Sequence, residues 1–272
     1  MKNALFFISI FIFVNSTHSS NDNYAIGARS AGMSNTSVAF NDAWSAHHNQ
    51  AGLGFVKKYS CGVYYENKFL LNELSLKAVV VAIPIKFGTF GLEFNNYGYS
   101  LYNENKYGLS FAKAFSDKFS VGIAMDYLNT RIAEGYGSKG AAVAEIGLQS
   151  KPTKQLSIGV HIFNPTRTKF VDYNNERIPT IFRLGGNYFF SEKVLLALET
   201  EKDLSQKAIF KIGIEYKPVK ELYLRTGIST GPIINSLGIG FNIKNLKIDL
   251  SSNYNQVLGF SPQFGLTYIF SK

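Results

Sequence analysis

The chain has one cysteine, Cys61, in 272 residues. That excludes an internal disulfide and a metal cluster built on thiolates. Cys61 alternates with Tyr59, Val63 and Tyr65, so it reads as a small wall residue of a strand. Charge is also sparse: 17% of residues are charged, below the roughly 25% of an average soluble protein. Beyond residue 20 no apolar run approaches the roughly 20 residues of a spanning helix. The closest is AVVVAIPI, Ala78 to Ile85.

Chemistry-bearing motifs are missing too. There is no Gly-x-Ser-x-Gly elbow, and Gly238-x-Gly240 lies inside a strand pattern instead of before a helix. His47 and His48 have no cysteine or acidic cluster beside them, so no metal is expected. Glu199 and Glu201 share a face, but Lys211 and Arg225 belong to the same wall and account for them without catalysis. The chain is therefore read as a non-enzyme without cofactor. Its net charge of +9 comes from scattered Lys and Arg, with Lys57-Lys58 the only adjacent pair, so nucleic acid is not expected as a partner.

What is abundant is aromatic and small: 23 Phe, 16 Tyr and 24 Gly. Residues 1–20, MKNALFFISIFIFVNSTHSS, pair a basic Lys2 with a short apolar core and small residues. This is the pattern of a cleaved export signal. From residue 59 onward, period-two alternation is nearly continuous. Phe119, Val121, Ile123, Met125 and Tyr127 alternate with Ser120, Gly122, Ala124 and Asp126. Short turn signals fall at 84–86, 116–118, 151–154, 191–193, 217–220 and 244–247. They alternate with longer polar stretches near 67–72, 97–105, 130–140, 165–177, 201–206, 229–235 and 253–261. Together they predict about fourteen antiparallel strands, an even count with short turns at one end, as a transmembrane β-barrel requires.

The charges are in register with that reading. Glu93, Asp126, Glu145, Arg183, Glu199, Lys211, Glu215, Arg225 and Asp249 all oppose the apolar set, which places them toward the lumen. Lys113 is the exception, in phase with Leu109 and Phe111 but near a turn. Glycine follows the charged face, at 62, 91, 108, 122, 147, 159, 185, 213, 227, 238 and 265. Such a stripe predicts either close approach by another segment or relief of curvature.

The last strand, QFGLTYIF, carries Gly265, Tyr268 and Phe270. It resembles the C-terminal signal read by the barrel-assembly machinery, which the resemblance makes a partner. Two further residues follow the terminal aromatic.

Residues 24–54 interrupt the alternation. Gly27-Ala28-Arg29, Ala31-Gly32-Met33, Asp42-Ala43, and Asn49 with Ala51-Gly52-Leu53 resemble the N-terminal segment of the FadL-like and PorV/PorQ-like outer-membrane barrels. Gln50 stands where those proteins have Pro, and Ser34-Asn35 replaces a Gly-rich step. The resemblance implies a plug over 21–56, marked by Gly27, Arg29, Gly32, Asp42, Asn49, Gly52 and Leu53. It implies a barrel over 57–272 in the outer membrane of a Gram-negative bacterium, against its lipid. The GARSAGM opening (27–33) is closer to the PorV/PorQ branch, which implies an accessory barrel of type IX secretion with secretion-system proteins as partners. The alternative is a FadL-like transporter whose partner is a hydrophobic small molecule such as a long-chain fatty acid.

Overall fold

A computed structural model describes residues 23–134, 137–170 and 177–271. The export-signal reading of 1–20 lies outside them. Fourteen strands form one closed antiparallel barrel, as the alternation predicts. They are β1 (Ser60–Asn67), β2 (Ser75–Ile85), β3 (Gly88–Gly98), β4 (Tyr102–Ser116), β5 (Phe119–Ile132), β6 (Gly137–Ser150) and β7 (Leu156–Phe163). The second half holds β8 (Ile181–Phe189), β9 (Val194–Asp203), β10 (Ile209–Val219), β11 (Leu222–Ser229), β12 (Ile234–Ile243), β13 (Leu246–Asn255) and β14 (Gly259–Ile269). Every strand pairs with its sequence neighbours, and β1 closes on β14 from Ser60↔Ile269 to Glu66↔Gln263. Closure leaves no free sheet edge to template aggregation.

The period-two pattern sorts the side chains as a water-filled exterior would not. Ile123, Met125 and Tyr127 of β5 are exposed, whereas Ser120, Ala124 and Asp126 of the alternate set are buried. The interior is polar and the exterior apolar. Among the described residues no helix is long and apolar enough to cross a membrane, which says nothing of strands.

Two features depart from expectation. The predicted loops at 97–105 and 130–140 shrink to 99–101 and 133–136, because β4, β5 and β6 run past them. Polar residues alone do not end a ladder when cross-strand partners are present, as Asn103↔Arg131 and Asn105↔Asn129 show. The 217–220 turn narrows to Lys220-Glu221, with the ladder shifting register between Tyr216 and Val219. Pro218 falls in that irregularity, where its missing N–H does no harm.

β7 pairs with β6 only from Glu145↔Phe163 to Ser150↔Ile158, so residues 137–144 of β6 stand above it. Residues 164–170 and 177–180 of the connection that follows pack over this step. Asn164 N donates to Ala144 O at 3.0 Å, and Asn164 Nδ2 donates to Ile178 O at 3.0 Å. Phe170 and Ile178 bury themselves there against Leu128, Val143 and Phe163.

Residues 23–58 thread the lumen. Tyr24 stacks on Tyr97 at the long-loop end, 4.3 Å between ring centroids. The segment then makes two short helices, α1 (Ala28–Ala31) and α2 (Ser45–His48), and a 3₁₀ turn, Gln50–Phe55, before joining β1 at the opposite end. This lumen segment is called the hatch below.

The inner glycines meet the hatch directly. A Cβ at Gly122 would lie 2.4 Å from Ala51 N, one at Gly159 2.2 Å from Val38 O, and one at Gly227 2.5 Å from Met33 C. Of the stripe, only Gly108 meets no hatch atom; its neighbours are Asp126 and Glu93. Close approach, not curvature, is therefore what these positions serve. Gly122→Leu is expected to leave the strands paired but to unseat the 3₁₀ turn. The sign would be new proteolytic cleavage between residues 46 and 56 in detergent solution, absent in Ile123→Leu. Equal protection of both variants would contradict the packing.

Candidate functional site

The lumen is filled by the hatch, and buried ionic contacts hold the two together. Arg29 projects from α1 to Glu215 of β10, with Nε 3.0 Å from Oε2 and Nη2 2.8 Å from Oε1. A forked guanidinium on both carboxylate oxygens is the strongest geometry available to this pair. Arg225 of β11 extends the chain, 2.7 Å from Glu215 and 2.6 Å from Asp249 of β13. Asp42 approaches Arg29 at 3.4 Å and accepts Trp44 N at 3.0 Å.

A second group is built on β8, β9 and β10. Glu199 accepts the adjacent backbone amides of Ser37 and Val38 at 2.8 and 2.9 Å. Arg183 donates to Glu199 at 2.7 Å, to His48 O at 3.1 Å and to Ser37 Oγ at 2.9 Å. Lys211 lies 3.4 Å from Glu199 and 2.7 Å from Glu201. The two carboxylates are thus bridged by Lys211 and Arg183. Arg225 belongs to the first group instead.

A third group centres on Glu145 of β6. Lys106 approaches it at 2.7 Å and His161 Nε2 at 2.7 Å, and Gln50 Nε2 of the hatch donates to it. Lys106 also lies 3.3 Å from Asp126, and Glu93 contacts His47 Nδ1 at 2.8 Å. Lys106, His47 and Gln50 were missed by sequence reasoning. Lys106 is in phase with Gly108 and Ser110, so the alternation held the signal once β4 is seen to extend through 102–116. For His47 and Gln50, in irregular backbone, no periodicity applies.

The plug-motif residues serve the hatch itself. Gly27 takes φ 93° before α1, and Gly32 backs onto Gly238, where a Cβ would come 3.1 Å from that Cα. Asn49 Oδ1 accepts Ala51 N at 3.2 Å and caps the 3₁₀ turn, while its Nδ2 donates to Val38 O at 2.7 Å. A Cβ on Gly52 would strike Phe40 O at 2.3 Å. Leu53 is fully buried beside Trp44, Tyr64 and Ala82. Trp44 Nε1 donates to Thr267 Oγ1 at 3.0 Å, which ties the hatch to the last strand. There Gly265 faces Ala28, whereas Tyr268 and Phe270 point outward, edge to face at 4.9 Å.

His48 of the hatch has a shifted acidity. Burial, then His47 and Arg183, hold its imidazole well below the ordinary histidine range. Its Nε2 sits 2.7 Å from Ile26 O, a pairing that suits a neutral ring donating one proton. No group of three or more His, Cys, Asp or Glu among the described residues is arranged to hold a metal.

Two clefts open below the hatch at the short-turn end. One, about 770 Å³, is lined by Val56, Lys57, Tyr59, Ile85, Lys86, Phe87 and Lys113. The other, about 310 Å³, reaches Arg29, Asp42, Trp44, Phe55, Lys58 and Lys247. On the long-loop side the space beside Tyr24, Lys106 and Phe163 is only about 10 Å³. Among the described residues the lumen is thus tightly packed beside Tyr24, Lys106 and Phe163 and open beneath the hatch.

Gln50, standing in place of Pro, spends its side chain on the wall. The backbone there still suits proline: Asn49 is extended, φ −169° and ψ 105°, and residue 50 begins a helical turn. Gln50→Pro is therefore expected to fold and to lose only the side-chain contacts with Glu145 and Ala46 O. Gln50→Ala should cost about 1–3 kcal/mol in thermal or chemical unfolding, and Gln50→Pro no more than that. A much larger loss for proline would show that the turn itself rejects it.

No protein-family profile matches the sequence, and no curated protein matches it. Solved structures do. The toluene transporter TbuX of Ralstonia pickettii superposes with a TM-score of 0.68 at 14% identity, covering 90% of this chain and 98% of that one. The toluene transporter TodX of P. putida gives 0.69 at 12% identity, covering 92% and 100%. A FadL homologue of Pseudomonas aeruginosa gives 0.65 at 14%, covering 91% and 99%. The chain shares the fold of these proteins over nearly its whole length.

Proposed function

We propose that this chain is an outer-membrane barrel that passes small hydrophobic molecules, of the aromatic-hydrocarbon or fatty-acid class, past a movable hatch. The observation that carries the proposal is that the lumen is closed by a separate segment, not by its wall. The hatch joins the barrel covalently only at β1, and elsewhere side-chain contacts hold it. Such a closure can open without disturbing the strand ladder.

Three features support the reading. The apolar exterior and polar interior are those of a barrel in lipid, where a Lys or Arg at mid-depth on the outer face costs about 2–4 kcal/mol. Lys113, an outward lysine, lies beside the turn 117–118 and over the Phe115 ring at 5.7 Å. At the long-loop end Leu128, Val143, Phe163, Phe170 and Ile178 pack into a buried apolar cluster, which a hydrophobic molecule could enter only by displacing the covering connection. The shared fold with toluene transporters agrees with it.

A second reading, a PorV/PorQ-like accessory barrel of type IX secretion that binds a protein and conducts nothing, draws on the tightly tied hatch and the small space, about 10 Å³, beside Tyr24, Lys106 and Phe163. The two part on whether the hatch must move. Ser34 and Ser236 face each other, Oγ to Oγ 2.8 Å, close enough for a disulfide after substitution. Ser34→Cys with Ser236→Cys, in a Cys61→Ser background, is expected to block uptake of labelled toluene or fatty acid when oxidised and to restore it on reduction. Uptake insensitive to the crosslink contradicts the transporter reading. Periplasmic retention of secreted proteins in a deletion strain with normal uptake would favour the accessory role.

A further inference from the structure

The positive charge of the chain is unevenly placed. Each of the six short turns carries an exposed lysine: Lys86, Lys118, Lys154, Lys193, Lys220 and Lys244. Lys57 and Lys58 complete the ring where the chain enters β1. Against them the turns hold only Asp117, Glu192 and Glu221 as acids. The opposite end is mixed: the connections 99–101, 230–233 and 256–258 bear no charge, while Lys68 is accompanied by Glu73, Glu134 stands without a cation in its turn, and Arg167, Lys169, Arg177 and Lys207 are confined to two of the seven connections.

An exposed aromatic accompanies the lysines at the same height. Lys58 precedes Tyr59, Lys86 precedes Phe87, Lys118 precedes Phe119, and Phe190 opens the turn that ends in Lys193; all four rings are exposed. Aromatic rings settle at the boundary between hydrocarbon and headgroups, and a lysine reaches from there to the phosphate layer.

We infer that the short-turn rim is a binding girdle for the phosphate groups of anionic phospholipids. The inference rests on the membrane reading above. The circumferential arrangement selects the occupant. A docked protein contacts one arc or covers the mouth, whereas one lysine in every turn around a closed barrel matches a continuous sheet of headgroups. Lysine suits this role as a compact charge on a flexible stem that needs no fixed partner geometry. The rim thereby sets the depth of the barrel and the leaflet that its short turns occupy.

The test uses the full protein in nanodiscs of equal phosphatidylglycerol and phosphatidylcholine, with retained lipids counted by native mass spectrometry. Two variants are compared: Lys118, Lys193 and Lys244 all to Gln, and, at the other end, Lys169, Lys202 and Lys207 all to Gln. The wild type and the second variant are expected to retain phosphatidylglycerol preferentially. In the first variant the preference should fall, by roughly fivefold for each lysine that holds a phosphate. A wild-type ratio of one, an unchanged ratio in the rim variant, or equal losses in both variants overturns the inference. Rim lysines needed only to capture an acidic protein would overturn it too. Failure of the membrane reading is separate: the protein would then not float with plain phosphatidylcholine vesicles.

Discussion

Everything in this fold depends on carboxylates buried in the barrel wall. Glu145, Glu199 and Glu215 are each taken from water, at a cost of several kcal/mol per ion unless paired and hydrogen-bonded. Each finds part of its compensation on the wall, in Lys106, Arg183 and Arg225, and part on the hatch, in Gln50, the Ser37 and Val38 amides, and Arg29. Wall and hatch complete each other's hydrogen bonding. A hatch held by apolar contacts alone would expose hydrophobic surface on leaving. The ionic contacts fix the register of the hatch, and apolar packing around Trp44, Leu53 and Met33 fills the space between them.

Shape follows from the same arrangement. The hatch has too little regular structure to hold its own form: α1 and α2 have four residues each, far below the length at which an isolated helix is stable. Its path is imposed by the wall. Gly122, Gly159, Gly213 and Gly227 lack the side chains that would exclude it, and Trp44 and Leu53 pack beside Tyr64. The glycines weaken the strands individually, but each brings hatch backbone within contact distance of strand backbone.

The barrel was legible in the sequence because its signal is repetitive. Alternation marks the strands, turn spacing counts them as about fourteen, and the one-sided placement of charge agrees with the assignment of faces. The phase also indicated which charges face inward, since a side chain's face is fixed by parity. Loop ends were not legible at 97–105 and 130–140, because polar residues such as Asn103 and Asn105 look like loop until their cross-strand partners are known. The pairings themselves were largely hidden. Nothing in parity says that Glu215 rather than Glu199 receives Arg29, or that Glu199 takes two backbone amides. Those contacts join residues more than 150 positions apart, and irregular backbone carries no period. The branch of function was hidden for the same reason: the opening over residues 27–33 describes how a hatch is built, and hatches of one design can gate a solute or stay shut.

The central claim is that the hatch alone closes the lumen, and ion conductance across a planar bilayer tests it most directly. The full protein is expected to be silent. Removing residues 25–52 while keeping the strands is expected to give a steady open channel, since the space vacated is lined by Glu145, Glu199, Glu215 and their now hydrated partners. A full-length protein that conducts steadily, or a silent barrel after the deletion, would contradict the account.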